Sequence, residues 1–393
     1  MEPIANHAHC KKPLFTVSIR SPNCRSRKIQ SGSEVKREAS LPHIAITFSR
    51  IELDLQDLIV HTNNAWREPL RFRLTIHSPP RGDRCYIRDH ILNREVHIVK
   101  IGLFAAVSGR GGNSMALTKA YASNAERLGF STLWVPEHVV LVDKYASKYP
   151  YAGDGVLPAP TDAAIPDPFI SLTAMASATE KIRLGTGICL VPEHNPVVLA
   201  KVVATLDWLS NGRVALGVGI GWLEEEFQAI GIPWERRAAR TRECIDAMRK
   251  LWGDPVSAYQ GEFVKFEGVR SNPKPARGAG VPILFGGESA PALRRVAEYG
   301  NGWYGFNLLP DEAAAKIRRI EELLKGNHRK LSEVEIIVSP YTKSITADDL
   351  KRYRDAGVHE MVVVNVRPPR TVEEAATRLE EAARAWLEPA SKL

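Results

Sequence analysis

The sequence has few cysteines and lacks several common functional motifs. Its five cysteines are spread over 393 residues, and none forms a CxxC pair or a metal-ligand spacing. This excludes the common zinc motifs and favours a reducing, cytoplasmic setting. GxSxG, HExxH and a carboxylate-rich cage are also missing, so we expect neither a serine-hydrolase elbow nor a metal.

Long apolar runs are missing as well. No run approaches the ~18 residues that predict a membrane-spanning helix, so we expect no membrane partner. Residues 1–12 lack a positive region followed by an apolar core, and we therefore expect no signal peptide.

Positive charge is scarce in most of the chain, although the formal net charge is +8. Residues 1–97 carry 16 Lys and Arg against 10 Asp and Glu, so they supply most of that excess. The rest is nearly neutral. A basic groove across the main domain is therefore not expected, and neither is a nucleic-acid partner.

Residues 1–97 differ in character from the remainder of the chain. They hold seven of the eleven histidines and several polar stretches interrupted by proline, with one plausible strand at His43–Phe48. They are either a weakly ordered basic arm, a small separate module, or a segment upstream of a natural start at Val96 or Val99. The abrupt arrival of regular structure at Ile98 favours the third interpretation.

Eight strand–helix units follow Ile98. The strands are short, rich in Val, Ile and Leu, and apolar on both faces, as parallel strands covered by helices must be. Eight such units predict an α/β fold, a (β/α)₈ TIM barrel with insertions over residues 98–390, preceded by an irregular N-terminal extension. A doubly wound sheet is the alternative, but it would normally have fewer units.

Two long connections interrupt this alternation. Val139–Pro166 follows the second strand and is rich in Tyr, Pro, Gly and Asp, which makes it a candidate lid because loops after barrel strands carry function. Residues 254–280 follow the fourth helix and contain a predicted hairpin with its turn near Gly261. A purely structural role is as plausible for this second insertion.

Two strand ends carry candidate chemistry. Gly286 and Gly287 lead into a helix that Ser289 can cap, which suits either an anion site or a simple glycine turn. Glu137 and His138 follow the second strand, and His138 is either an acid–base group or a structural hydrogen-bond partner.

Other polar residues have weaker signals. Glu224–Glu226 are interpreted mainly as favourable charge at the start of helix four, and His194 as a backbone-binding turn residue.

Three segments share a pattern with a known family. They are "ERLGFSTLWVPEH", "EHNPVVLAKVVATLDWLSNGRVALGVGIGW" and "ILFGGESAPALRRVAEYGNGW". Together they resemble the luciferase-like flavin and deazaflavin oxidoreductases, from about Ile98 to Leu387. The pattern is most similar to actinobacterial deazaflavin-dependent members, and residues 1–97 lie outside it.

The resemblance implies a barrel that binds coenzyme F420 or FMN at the strand ends. Gly286, Gly287, Glu288 and Ser289 match the turn that contacts the cofactor phosphate. The family implies an oxidoreductase that transfers a hydride between F420 and an organic substrate. An FMN-dependent monooxygenase and a non-catalytic flavin-binding barrel remain open.

The resemblance also assigns residues around the ring. Glu137–His138 matches a catalytic acid–His pair that is usually Asp-His in the deazaflavin branch, with His138 as the proton donor or acceptor. Gly187–Ile188 matches a cofactor-contacting bulge with a non-prolyl cis peptide. Trp222 stands where sugar-phosphate dehydrogenases place a glutamate, so we do not expect glucose-6-phosphate oxidation.

The expected substrate is a small molecule of unassigned identity. Trp222, Tyr149 and Tyr151 are expected to line an apolar pocket for it. A homodimer is expected.

Overall fold

The computed structural model describes residues 99–105, 114–278, 280–364 and 369–393, and of residues 1–98 only the backbone of four short strands. The chain divides into two compact units, Met1–Val96 and His97–Leu393. In the first unit the four strands form two antiparallel pairs, Thr16–Val17 with Val60–His61 and Arg73–His77 with Tyr86–His90. The predicted strand at His43–Phe48 lies outside the described residues.

The second unit contains a closed barrel of eight parallel strands. Each strand pairs with the next one along the chain, and β8 pairs with β1 to close the ring. This confirms the predicted (β/α)₈ barrel and excludes the doubly wound sheet. The strands are β1 (Lys100–Phe104), β2 (Thr132–Val135), β3 (Arg183–Thr186), β4 (Val214–Gly219), β5 (Ile283–Gly286), β6 (Gly302–Phe306), β7 (Glu335–Ser339) and β8 (Glu360–Val363).

One principal helix follows each strand. Several of these helices begin at a polar cap, because a side-chain oxygen can accept a hydrogen bond from an otherwise unpaired N–H of the first turn. Ser114 caps the first, Asp167 the second and Asn195 the third. The helices are α1 (Met115–Leu128), α2 (Pro168–Ala176), α3 (Pro196–Leu209), α4 (Arg237–Gly253), α5 (Ala290–Tyr299), α6 (Pro310–Gly326), α7 (Ala347–Asp355) and α8 (Val372–Ala382).

Large side chains fill the barrel interior. Trp134 of β2 and Tyr304 of β6 are buried, and their rings meet edge-on at 5.0 Å. The Trp134 indole Nε1 donates to Glu360 Oε1 over 2.7 Å, and the Thr132 hydroxyl donates to Glu360 Oε2 over 3.0 Å. Burial raises the pKa of the Glu360 carboxyl. The barrel interior is therefore a packed core, and it contains one buried acid, Glu360, that bonds to Trp134 and Thr132.

One prediction about the connections is confirmed, and one about the start of helix four is wrong. The predicted hairpin is confirmed, with Ser257–Gln260 antiparallel to Lys265–Val269. Glu224–Glu226 do not open helix four. They begin a separate short helix, Glu224–Ala229, and a turn containing Pro233 separates it from α4. Within the described residues, no helix is long and apolar enough to cross a membrane.

Candidate active site at the carboxyl ends of the strands

The chain bulges directly after β3. Gly185 pairs with Ala215 of β4, and the two-residue strand Cys189–Leu190 resumes the pairing opposite Val218 and Gly219. Between these pairs β3 advances four residues while β4 advances three, which defines a β-bulge. The Gly187–Ile188 peptide bond is cis. The predicted bulge and cis peptide are both confirmed.

Ile188 stands over the barrel core between two glycines. A Cβ atom added to Gly219 would lie 3.1 Å from Ile188 Cγ1, and one added to Gly286 would lie 2.9 Å from Ile188 Cδ1. Below it, a Cβ on Gly187 would lie 3.3 Å from the Tyr304 hydroxyl. The ends of β3, β4 and β5 therefore form a floor with little side-chain volume apart from Ile188.

His138 is held by an acid from a distant part of the sequence. Its Nδ1 lies 2.8 Å from Glu226 Oε2, while Glu226 Oε1 accepts hydrogen bonds from the N–H groups of Val139 and Val140. Glu226 is only 1% exposed. The other ring nitrogen, Nε2, has no hydrogen-bond partner in the described part of the chain. Glu226 thus fixes the ring and leaves Nε2 for a ligand.

Glu137 points to a different partner from its neighbour His138. Leu190 N donates to Glu137 Oε2 over 2.5 Å, and His194 Nε2 lies 2.9 Å from Glu137 Oε1. Burial acts to lower the pKa of His194, but the bond to Glu137 together with the negative charges of Glu137 and Asp167 raises it overall. Both Glu137 oxygens are therefore engaged in holding the segment between the bulge and α3.

Cys189 joins the same group. Burial raises the pKa of its thiol, and the thiol also bonds to Glu137. Glu137, Cys189 and His194 bring three possible ligand atoms within 4.8 Å of one another. Hydrogen bonds from Leu190 N and with His194 hold the Glu137 carboxylate in this group.

Aromatic rings cover the barrel mouth. Tyr149 of the lid meets Trp222 at 5.1 Å and Tyr151 at 5.6 Å between ring centroids, and Tyr151 meets Phe306 at 5.0 Å. Trp222 also lies edge-on to His138 at 6.0 Å. The structure therefore brings together all three residues expected to line the substrate pocket and connects them to His138.

The lid is attached on both sides of the mouth. On one side, Glu225 accepts hydrogen bonds from Ala146 N at 2.6 Å and from the Ser147 hydroxyl at 2.7 Å. On the other, Asn307 Nδ2 donates to the Tyr151 carbonyl over 3.1 Å. Glu225 and Glu226 do lie in the first turn of a helix, as expected, and their carboxylates also bind other segments.

The turn after β5 has the expected shape for a helix start. Gly287 has a φ of +99°, a left-handed conformation that favours glycine, and the Ser289 hydroxyl caps α5 by accepting from Ala292 N. The Glu288 side chain turns away from the helix and accepts from Phe306 N over 2.7 Å. Burial raises the pKa of Glu288, although Phe306 N–H and Tyr151 act to lower it.

Two arginines in the described part of the chain carry an unpaired guanidinium nitrogen. Arg295 of α5 and Arg237 of α4 each have a buried Nε with no hydrogen-bond partner among the described residues. The Arg237 guanidinium stacks 3.4 Å above the ring of Trp234. Burial lowers the pKa of Arg295, and the charge of Arg237 lowers it further. The two positive charges therefore act on each other, and α5, which carries Arg295, begins at the turn after β5.

The sequence analysis missed Glu226, Arg237 and Arg295. Arg237 and Arg295 resemble ordinary surface residues of amphipathic helices. Glu226 had one usable signal, since it follows a barrel strand end within seven residues.

Comparison with known proteins identifies relatives of the barrel unit. The sequence model of the luciferase-like monooxygenase family matches residues 98–393. An uncharacterised protein of Mycobacterium tuberculosis is 35% identical over 285 residues, which cover 72% of this chain and 96% of that protein.

Two solved structures share the fold. The coenzyme F420-dependent tetrahydromethanopterin reductase of Methanopyrus kandleri superposes with a TM-score of 0.56 at 18% identity, over 74% of this chain and 99% of that one. The FMN-bound oxygenating constituent of 3,6-diketocamphane monooxygenase from Pseudomonas putida gives 0.51 at 19% identity, over 65% of this chain and 70% of that one.

Proposed function

Since the chain belongs to the luciferase-like monooxygenase family, we propose that it is an oxidoreductase that transfers a hydride between coenzyme F420 and a small organic substrate. The observation that carries the proposal is the His138–Glu226 pair, because it places a proton-exchanging imidazole beside the aromatic cluster at the barrel mouth. A family relative, the 5,10-methylenetetrahydromethanopterin reductase of Archaeoglobus fulgidus, supports a reductase and is 30% identical over 182 residues.

The residues present fit a flat ring with a phosphate-bearing tail. The floor around Ile188 is open because Gly219 and Gly286 carry no side chain where a Cβ would contact it. The orphaned Nε atoms of Arg237 and Arg295 supply positive charge beside α5, whose N-terminal N–H groups also favour anions. We assign the ring to the floor and the phosphate to the Gly286–Ser289 turn with these two arginines.

The chain's own contribution is orientation and proton handling. When bound, F420 supplies reversible hydride exchange at its ring. Glu226 holds His138 through Nδ1, so that the proton is gained or lost at Nε2. The lid aromatics Tyr149 and Tyr151 exclude water from the mouth and, with Trp222, present an apolar wall to the substrate.

The resemblance implied a catalytic role for Glu137 together with His138. We propose that Glu137 has a positioning role instead. Glu137 is 5% exposed, and its two carboxylate oxygens bind Leu190 N and His194. Such a carboxylate fixes the bulge on which Ile188 stands.

Titration of the purified protein with F420 and with FMN, followed by fluorescence, tests the cofactor. We expect saturable F420 binding that weakens in an Arg295→Met variant. The FMNH2-dependent dimethylsulfone monooxygenase of Pseudomonas fluorescens, 35% identical over 137 residues, makes FMN the second candidate. Tight FMN binding with no response to F420 would reverse the assignment, and binding without any turnover would favour a non-catalytic barrel.

Replacement of His138 tests the proton role. His138→Ala should lower turnover by about 10²-fold or more, the usual contribution of a general acid or base, and leave cofactor affinity nearly intact. His328→Asn is a matched control, because His328 is an exposed histidine with a φ of 57° that asparagine tolerates. Unchanged turnover in the His138 variant would remove the proposed role.

We also propose a homodimer through α2 and α3. Exposed apolar side chains are concentrated there, with Ile170 70%, Val198 61%, Trp208 58% and Leu209 60% exposed. Contiguous exposed apolar patches mark protein interaction sites. Light scattering should give twice the chain mass for the wild type and a monomer for Trp208→Glu. A monomeric wild type would contradict the proposal.

A further inference from the structure

Glu193 is a buried acid without a partner. It ends a 3₁₀ turn, Val191–Glu193, directly after the bulge, and it is 7% exposed. Both carboxylate oxygens are buried and have no hydrogen-bond partner among the described residues. A Cβ added to Gly221 would lie 3.1 Å from Glu193 Oε1, so the carboxyl packs against the backbone that leads into Trp222.

Two other buried acids act on Glu193. They are Glu226 and Glu137, and each of them already has a histidine, His138 for the first and His194 for the second. The group therefore contains three carboxyls and two imidazoles. Of the three carboxyls, Glu193 is the one that has no histidine partner among the described residues.

The other charged groups around this segment face elsewhere. Cys189, four residues upstream, is a buried thiol that bonds to Glu137, and Asp167 caps α2. On the outer side, Arg240 of α4 lines a groove with His194 and Asn195. None of these supplies a hydrogen-bonded cation to Glu193.

A carboxyl in these surroundings keeps its proton at neutral pH. Burial raises the pKa of Glu193 to about 9, and the negative charges of Glu226 and Glu137 add to the effect. Since a buried unpaired carboxylate is far less stable than a buried carboxylic acid, the direction follows from the geometry alone.

We propose that Glu193 is an uncharged carboxylic acid that acts as a positioning residue behind the His138–Glu226 pair and sets the alkaline limit of the site. The proposal rests on the proposed function only for its effect on turnover. While Glu193 is neutral, Glu226 is the acid that bonds to His138. When Glu193 loses its proton, its negative charge repels Glu226. This disturbs the position of the His138 imidazole, which Glu226 holds.

Thermal melting of the full chain without cofactor tests the protonation state. Because the folded pKa is raised, the stability that Glu193 contributes is complete below the unfolded pKa and is lost as pH rises through about 9. Glu193→Gln has no such loss. We expect its melting midpoint to gain on the wild type by about 5 °C or more between about pH 6 and pH 9, and to gain nothing further above that range.

Glu235→Gln is the matched control, because Glu235 is exposed and its replacement removes the same charge from the chain. A plot of its melting midpoint against pH should run parallel to the same plot for the wild type. If the plots of melting midpoint against pH for Glu193→Gln and the wild type are parallel, the proposal is overturned. If Glu193→Gln fails to fold, the ring carbon signals of His138 in the wild type, assigned with His138→Asn, should show a step near pH 9, and a titration without that step would also overturn it.

Turnover supplies the functional reading. We expect the turnover of the wild type to decline above pH 9, whereas the turnover of Glu193→Gln should show no decline between pH 7 and that range. A Glu193→Gln profile that declines above pH 9 in step with the wild type would contradict the proposal. If the wild type turns over no substrate with either cofactor, the proposed function fails, and the melting curves still decide the state of Glu193.

Discussion

Gly185→Ala should be strongly destabilising, because the space beside Gly185 is occupied by a ring that cannot move. A Cβ at Gly185 would lie 2.5 Å from Trp134 Cζ3 and 2.8 Å from Trp134 Cδ2. Trp134 is fully buried, its Nε1 donates to Glu360, and its ring packs on Tyr304 at 5.0 Å. Relief of the clash therefore requires either a backbone shift in β3 or a rotated indole.

The expected cost combines two contributions. Overpacking a well-filled core costs about 1–3 kcal/mol. Displacement of the indole from Glu360 leaves a buried donor and acceptor poorly paired, which costs about 1–3 kcal/mol more. We expect the free energy of unfolding to fall by about 2–6 kcal/mol, measured by urea denaturation of the full chain, with the melting midpoint lower by roughly 4–20 °C.

Two comparisons isolate the cause. Gly326→Ala at the end of α6 adds a Cβ with no atom within 4 Å, so its stability should match or slightly exceed that of the wild type. In a Trp134→Leu background, where the ring is gone, Gly185→Ala should cost less than about 1 kcal/mol, because neighbouring residues that share space are not additive. A small loss in the wild type, or the same loss in both backgrounds, would refute the reasoning.

Three further predictions concern single carboxylates. Glu226→Gln should lower turnover about 10²-fold while cofactor titration shows unchanged binding, since His138 loses its orienting carboxylate; equal turnover would contradict this. Glu225→Ala should make the lid more sensitive to limited proteolysis with little change in melting midpoint, and an equally resistant lid would count against its anchoring role. Glu126 accepts from three backbone N–H groups, which lower its pKa although burial opposes them, so its stabilisation exists above the unfolded pKa and is lost as pH falls. Glu126→Gln should therefore lower the urea midpoint at neutral pH but not at about pH 3, and an equal loss at both would be inconsistent with that origin.

The barrel itself could be predicted because its signals are local. Strands buried on both faces read as short apolar runs, and a glycine or a cap marks many helix boundaries. α1, for example, ends at Leu128 and is capped by Gly129, whose φ is 97°. The insertion hairpin around Gly261 was predictable for the same reason, since turn residues and flanking strands are neighbours in sequence.

The site was less predictable because its contacts join distant segments. His138 and Glu226 are 88 residues apart, and no spacing rule connects them. Residues that are adjacent in sequence were misleading, because neighbours in the chain need not contact each other. Glu137 and His138 suggest a working pair, yet they follow the end of β2 with side chains directed to different partners, so sequence adjacency was not evidence of contact.

The glycines of β3, β4 and β5 and of the bulge after β3 have one feature that the sequence predicts and one that it does not. The sequence predicts a bulge at Gly187, and the bulge is present. What the sequence does not reveal is that glycines on three strands are matched to bulky side chains on their neighbours, Gly185 to Trp134 and both Gly219 and Gly286 to Ile188. Because that matching is a property of volumes across the barrel, each glycine alone looks like a weak point in a strand. In the barrel they form a floor around one isoleucine, and this floor is the surface on which we propose that the flat ring of the cofactor lies.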